Sequence, residues 1–487
     1  MNNEKLYEEL EAFKRWILHQ TSADYLMYLD DSDDAVIRIE TDFCRGDVIF
    51  YPSSFSDPDS VKDIIQLSVV NSRTENHAFF LHFKYHSQQH ARKMFSEMLD
   101  TIKELKDRPS ANILLCCTSG MTTGYFAEKL NESAELLGLN YHFSAVSYNN
   151  LFKEGGKFDL ILLAPQVSFN LERVQEILYN KTVLLIPPRV FAGYDVMQTF
   201  ELVKPYFEKG DLPRAESIPV LNIHPLPLKQ ELKISSRVLV ISLLRWSTDE
   251  DFWFASRIYN ADGSVLMDDT VIKHSLSMDD IYNICDTAFA LCPDIQVVGI
   301  ALPGIIDHGR VTLPRLHLVD TDVLDNLKAR YSKQFILTND ANTLAVGYYI
   351  SQDKYVSPSV IFIPFPGSKG GVGSLFKGQL IRGNHKIAGE SQYLPVFTDD
   401  SKLANWSTPE EAIEVAARIT ASVISILSPD VIILCCNLIP RMDDVIYALY
   451  RYLPAKYIPD ILRLDNLREY SLLGELALCA EALQQDI

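Results

Sequence analysis

Residues Asn112-Ile-Leu-Leu-Cys-Cys-Thr-Ser-Gly-Met-Thr-Thr-Gly-Tyr-Phe126 decide how this chain is read. The apolar run Ile113–Leu115 predicts a buried strand that ends at Cys117. A short loop of small and hydroxyl residues follows, then an amphipathic helix from about Thr122. A thiol at a strand end faces the free N–H groups and positive dipole end of that helix, which stabilise an anion. The same field favours thiolate, so Cys117 is a candidate nucleophile near neutral pH. Thr118, Ser119, Thr122 and Thr123 offer hydroxyl donors to an oxyanion, and Gly120 lets backbone approach closely. Strand alternation turns Cys116 to the opposite face, where a buried cysteine behaves as a small hydrophobe.

Outward from this stretch, strands and helices alternate. Strands are expected at 112–117, 140–146, 158–163 and 182–186, with helices at 122–137, 170–179 and 194–208. This pattern predicts a doubly wound parallel sheet, whose functional loops lie at the strand C-terminal ends. The loops 117–122, 164–169 and 187–193 should therefore converge, bringing Gln166 and Arg189 toward the thiol.

Three ordered motifs resemble the IIB domain of the lactose/cellobiose class of the bacterial phosphotransferase system. They are Leu115-Cys-Cys-Thr-Ser-Gly-Met-Thr-Thr123, Leu162-Leu-Ala-Pro-Gln-Val167 and Phe191-Ala-Gly-Tyr-Asp-Val-Met197. The resemblance implies that Cys117 takes phosphate from a histidine of a IIA partner and passes it to sugar held by a membrane IIC partner. It places Thr118, Ser119, Gly120, Met121, Thr122, Thr123 and Gln166 around the phosphate. Ala164 stands where the family has glycine before Pro-Gln.

On either side of this domain the chain changes character. Residues 1–108 read as a small α+β module, with helices at 3–19 and 87–106 enclosing strands. His82, His86 and His90 mix strand and helix spacing and are expected to be packing or surface residues. Residues 209–236 are proline-punctuated and aperiodic and read as a linker. The net charge of −19 over 487 residues argues against nucleic acid as partner. The eight cysteines form no Cys-x-x-Cys pair, and none of the spacings calls for a metal or other cofactor. Together with the absence of a long apolar run or a signal peptide, this suits a cytoplasmic protein that does not insert into a membrane. A homo-oligomer is compatible with the reading.

Residues 237–487 form a second alternating pattern. Asn339-Asp340-Ala341-Asn342 puts a carboxylate at a helix start, where it can act as a base toward a hydroxyl or simply cap the helix. Pro366-Gly-Ser-Lys-Gly-Gly-Val-Gly373 is either a phosphate cradle or a glycine hairpin. With Pro303-Gly-Ile-Ile-Asp307, Gly378–Gly383 and Ala388-Gly-Glu390, these segments resemble the ROK family of sugar kinases and sugar-responsive repressors. The resemblance implies an actin-like pair of α/β lobes, with Asp340 at the catalytic-base position and Asn339 and Glu390 at sugar-hydroxyl positions. The chain departs from that family where nucleotide binds. Val240-Ile-Ser-Leu-Leu-Arg-Trp-Ser-Thr248 replaces Asp-x-Gly-Gly-Thr, and the zinc segment is missing.

The resulting expectation is an α/β multidomain protein of carbohydrate phosphotransfer, divided at 1–108, 109–208, 209–236 and 237–487. Cys117 carries phosphate or senses phosphorylation, which makes the chain a phosphotransferase more than an ATP-dependent sugar kinase. The ROK-like half binds a sugar or sugar phosphate. The partners are a IIA or IIC-like protein. Two alternatives stay open: a sugar kinase with an atypical nucleotide site, kept by Asp340 and Glu390, and a non-catalytic sugar-responsive regulator.

Overall fold

The computed structural model describes residues 3–30, 33–53, 61–72, 75–107, 111–208, 226, 232, 234, 236–245, 252–313, 316–353, 356–364, 366–383, 387–395, 405–464 and 466–485. Most of the expected linker 209–236 and the Trp246–Thr248 end of the segment that departs from the ROK pattern lie outside the described residues.

The N-terminal layer comprises α1 (Asn3–Leu18), β1 (Leu26–Asp30), β2 (Asp33–Glu40), β3 (Cys44–Tyr51), β4 (Ile64–Asn71), β5 (His77–Lys84) and α2 (Gln88–Asp107). Its strands form an antiparallel meander. Leu10, Phe13 and Ile17 of α1 and Met94, Phe95 and Met98 of α2 recur at helical spacing and are buried against it.

The middle domain comprises β6 (Ala111–Cys117), α3 (Met121–Leu136), β7 (Tyr141–Ser147), α4 (Tyr148–Glu154), β8 (Leu160–Leu163), α5 (Leu171–Ile177), β9 (Thr182–Leu185), α6 (Pro188–Gly193) and α7 (Val196–Glu208). Its sheet has the order β7-β6-β8-β9, and every pair is parallel. The α4 helix was not expected, because Tyr148–Glu154 is too short to show helical periodicity.

The third part begins with β10 (Arg237–Arg245), β11 (Phe252–Tyr259), β12 (Val265–Ile272), α8 (Met278–Leu291) and β13 (Ile295–Leu302). Next come a small sheet of β14 (Ile306–Asp307), β15 (Arg310–Leu313) and β16 (Leu318–Asp322), then α9 (Val323–Arg330), β17 (Gln334–Asn339) and α10 (Asp340–Ile350). The last portion holds β18 (Pro358–Phe362), β19 (Gly371–Phe376), β20 (Gln379–Leu380), α11 (Pro409–Leu427), β21 (Val431–Cys435), α12 (Met442–Leu449), β22 (Asp460–Leu462) and α13 (Leu467–Gln485).

Two junctions organise the molecule. The N-terminal meander continues into the third part through Phe80 on β5, paired with Ile272 on β12, giving one ten-stranded sheet ending β12-β11-β10-β13-β17. Phe13, Phe50 and Met98 share a hydrophobic core with Leu239, Ile284 and Ile300. Polar contacts reinforce this seam: His82 Nδ1 lies 2.8 Å from Asp269, and buried Lys273 bridges Glu97 and Asp280 at 2.6 and 2.8 Å. The second junction joins the middle domain to the five-stranded sheet β20-β19-β18-β21-β22. Leu114, Cys116 and Val174 belong to the same core as Ala416, Ile432 and Val445. Arg173 reaches Glu410 and Asp444 at 3.7 and 3.6 Å, and Arg441 pairs with Glu176. The middle sheet thus has one face under α3 and α7 and the other toward the C-terminal lobe.

Candidate functional site

Cys117 is the last residue of β6, and its side chain belongs to the α3 face of the sheet. Gly120 caps α3 at φ 82°, a left-handed conformation that glycine adopts without steric cost. A Cβ there would lie 3.1 Å from the Ser147 nitrogen, so the loop also needs glycine to pass β7. This turn aims the Gly120 N–H at Cys117 Sγ, 3.1 Å away. The Thr123 hydroxyl lies 3.2 Å from the same sulfur and 3.1 Å from Gly120 O, so its one proton is shared between these two acceptors. Burial by itself raises the thiol. Hydrogen bonds from the Thr123 hydroxyl and from backbone N–H groups of Thr123, Gly120 and Ser119 outweigh it and hold Cys117 below its ordinary value. Cys116 lacks these donors, and burial pushes it up to about 12. Two adjacent cysteines are thereby set apart by which face of the strand each occupies.

Thr118, Ser119 and Thr122 are exposed at the mouth of the loop, whereas Thr123 is buried and turned to the sulfur. Gln166 is exposed on the turn that follows β8, and the Ala164 N–H tethers that turn to Cys116 O at 2.8 Å. Arg189 is exposed in the first turn of α6. Phe191 and Tyr194 behind it stack edge-on to Phe126 of α3, so the third loop reaches the same helix. The sequence reading overlooked exposed apolar side chains on these elements: Met121 at the start of α3 and Phe169 on the turn after β8 are each 82% exposed, and Tyr125 of α3 is half exposed. Large apolar side chains at a helix start and on a neighbouring loop were the available signal.

The ROK-like half holds a cleft of about 290 Å³ between the ends of β13 and β17, the Gly389–Glu390 turn and α13. Asn339, Asn342, Arg382 and Glu390 line it. Asn339 Oδ1 accepts from Ala341 N–H and Asn342 N–H at 3.0 and 3.4 Å, and its Nδ2 donates to Gly304 O at 2.8 Å. It therefore caps α10 and ties the β13 loop to it. Asp340 begins α10, half-buried. Burial, with a smaller contribution from the Glu390 charge, pushes its carboxyl up to about 7, while the Ala341 N–H opposes the shift. Glu390 is also raised by burial, against a hydrogen bond from Gln392.

The glycine stretch resolves into a packed turn. Gly370 N–H donates to Ser368 Oγ at 3.0 Å, Trp406 Nε1 donates to Ser368 O at 2.6 Å, and Ser391 Oγ donates to Gly370 O at 2.8 Å. A Cβ at Gly373 would lie 2.0 Å from Ala341 O, so this glycine lets β19 pass the first turn of α10. Between the ends of β18 and β21 lies a small cavity of about 30 Å³. Among the described residues no group of three or more His, Cys, Asp or Glu side chains is placed to hold a metal ion. No described helix is long and apolar enough to cross a membrane.

The middle sheet, its thiol loop and the two-lobed remainder define a chain that combines a phosphotransfer-type domain with a sugar-kinase fold. Over residues 112–201 it belongs to the family described as PTS system, Lactose/Cellobiose specific IIB subunit. Residues 268–402 match the ROK family. The oligo-beta-mannoside-specific EIIB component of Bacillus subtilis is 31% identical over 91 residues, which is 18% of this chain and 88% of that protein. A ROK family protein from Streptococcus pneumoniae TIGR4, solved in complex with sucrose, aligns at 16% identity and TM-score 0.40, covering 51% of this chain and 99% of its own. The cellobiose-specific phosphotransferase IIB component from Borrelia burgdorferi aligns at 26% identity and TM-score 0.19, covering 20% of this chain and 94% of its own.

Proposed function

We propose that this protein is a cytoplasmic component of carbohydrate phosphotransfer, in which Cys117 carries a phosphoryl group and the ROK-like cleft binds a sugar or sugar phosphate. The observation that carries the reading is the donor set on one sulfur: Gly120 N–H at 3.1 Å and Thr123 Oγ1 at 3.2 Å, at the start of α3. A thiolate so held attacks the phosphorus of a phosphohistidine on a IIA-like partner. The S–P bond forms as the partner's P–N bond breaks, and the partner's imidazole takes up a proton. Loop N–H groups and the Thr118, Ser119 and Thr122 hydroxyls then face the phosphoryl oxygens. In this reading Gln166, on the turn after β8, orients them. A IIC-like protein holding sugar is the onward acceptor. The exposed side chains of Met121, Tyr125 and Phe169 are where such partners would press.

A second reading is a sugar-responsive regulator without ATP-dependent kinase activity. It is favoured, among the described residues, by the glycine turn, whose Gly370 N–H is taken by Ser368 Oγ, and by the small cavity beside it.

The test of the first reading is incubation of the full chain with phosphoenolpyruvate, the general phosphotransfer proteins and a IIA partner, followed by mass mapping. Addition of ~80 Da (one phosphoryl group) at Cys117 is expected. Equal labelling of a Cys117→Ser variant would overturn it. Calorimetric titration with millimolar ATP is expected to give no heat, and a saturable signal would restore the kinase alternative.

A further inference from the structure

The two sheets of the ROK-like half meet at one helix crossing. The α13 helix lies on β10 and β13 of the long sheet and crosses α10, which lies on β18 and β19 of the shorter one. The crossing is backbone to backbone. A Cβ at Gly347 would lie 1.9 Å from Tyr470 O, and one at Gly474 would lie 1.9 Å from Thr343 O. Motion of one lobe on the other must pass through this joint.

Next to Gly474 stands Glu475, whose side chain is fully buried at 0% exposure. It rises into the space left by Gly299 of β13, where a Cβ would lie 2.9 Å from its Oε1. The groups facing it from each element are few. The Thr343 hydroxyl of α10 lies 3.3 Å from Oε2 and 3.0 Å from Asn339 O, which compete for its one proton. The Thr338 hydroxyl of β17 and the Ile300 N–H of β13 also face it, and Arg382 acts from farther off. On α13 itself the neighbour is Cys479, whose thiol is held far above its ordinary value by burial and by the Glu475 charge. Oε1 accepts no hydrogen bond from the described residues, and none places a cation in an ion pair with this carboxyl. A buried carboxylate so poorly matched is costly, so the neutral acid is the form that fits. Burial, opposed by the Thr343 and Thr338 hydroxyls, Arg382 and the Ile300 N–H, pushes it up to about 8.

The site lies directly beneath the cleft. Thr338 faces Glu475 and lines the cleft, and Leu478, Glu481 and Ala482, further along α13, line the cleft too. We propose that Glu475 is a proton-operated latch on the joint between the lobes: the neutral carboxyl holds α13 against β13 and β17 and keeps the cleft in this arrangement, and its ionisation loosens that contact. Nothing in this depends on phosphate at Cys117.

The sign follows from linkage. In a loosened, solvated state the carboxyl ionises near ~4.3, as an exposed glutamate does. Between there and about 8 the closed state holds the extra proton, so closing takes up a proton and becomes less favourable as pH rises. A cleft ligand that selects the closed state would bind more weakly over the same window.

The test is amide hydrogen exchange of the full chain from pH 6 to 9, corrected for intrinsic exchange, on wild type and Glu475→Gln. The amide is the uncharged isostere of the acid. In wild type, protection over 334–350 and 467–485 should fall at least tenfold across this range relative to the four-stranded middle sheet. In Glu475→Gln it should stay level. Equal pH dependence in both proteins, or none in wild type, would overturn the latch. Should the variant not fold, infrared spectroscopy of an Asp340→Asn protein decides. A neutral carboxyl band present at pH 7 and titrating out near pH 8 supports the proposal, and absence of the band at pH 7 overturns it.

Discussion

The hydroxyl of Thr123 and the N–H of Gly120 meet one sulfur, while the cysteine beside it has neither donor. Hydrogen bonds to an ionised group contribute about 1.5–3 kcal/mol each. Removing one should therefore show in thiol chemistry before it shows in folding. A Thr123→Val substitution keeps the shape and deletes the donor. The rate of Cys117 alkylation by iodoacetamide at pH 7 is expected to fall roughly tenfold, with the melting temperature nearly unchanged. An unaltered rate would mean that the backbone donors alone set the thiol. Much of this loop was legible in the residues, because a strand end, a glycine and a helix start are local events. Two features were not legible. Thr123 turns inward to the sulfur instead of outward to a phosphate oxygen, and Met121 and Phe169 are exposed. Both depend on which way a side chain points from a turn.

Elements in this protein are positioned by where side chains are absent as much as by where they pack. Gly347 and Gly474 permit α10 and α13 to touch, and Gly373 permits β19 to pass α10. The Gly347→Ala substitution is expected to cost about 3 kcal/mol or more, measured as a lower urea midpoint, since the added methyl meets the Tyr470 carbonyl and the helix must shift. A gain in stability, as expected for alanine in an unobstructed helix, would show that the crossing is loose. The start of α13 makes a related point. This last helix begins at Leu467. Arg468 and Glu469 look like solvent-exposed residues and are buried. Their partners, Arg257 and Asp268, lie about two hundred residues earlier, beyond the reach of any local pattern.

At the scale of the whole molecule that network closes a ring. Arg257 grips Glu469 through two nitrogens at 2.7 and 2.8 Å and Asp268 at 2.5 Å, and Arg468 returns to both acids. It fastens α13 to β11 and β12 inside the long sheet. An Arg257→Met substitution leaves Glu469 and Asp268 buried with one cation between them, so a loss of about 3–5 kcal/mol is expected. The measurement is the thermal midpoint of the full chain. A loss below ~1 kcal/mol would mean that Arg468 suffices for both acids. The shared cores set a wider expectation. The middle domain and the C-terminal lobe have buried residues in common, as do the N-terminal meander and the first lobe. Calorimetry on the full chain should therefore resolve fewer transitions than there are segments in the sequence.

By itself the sequence determined the local identities: strand, turn and helix at 112–136, the glycine and hydroxyl spacing around Cys117, and the α/β alternation on both sides of the aperiodic segment. These follow from periodicities and turn chemistry that act over a few residues. Only the tertiary structure decided what each buried group faces. It joined the N-terminal strands to β12 through Phe80 and Ile272, and set one face of the Cys117 sheet toward the C-terminal lobe. It folded the glycine stretch into a satisfied turn and placed Glu475 under the cleft without a matching cation among the described residues. The reason is physical: burial, charge pairing and close backbone approach are made between residues hundreds of positions apart, and no window along the chain contains both partners.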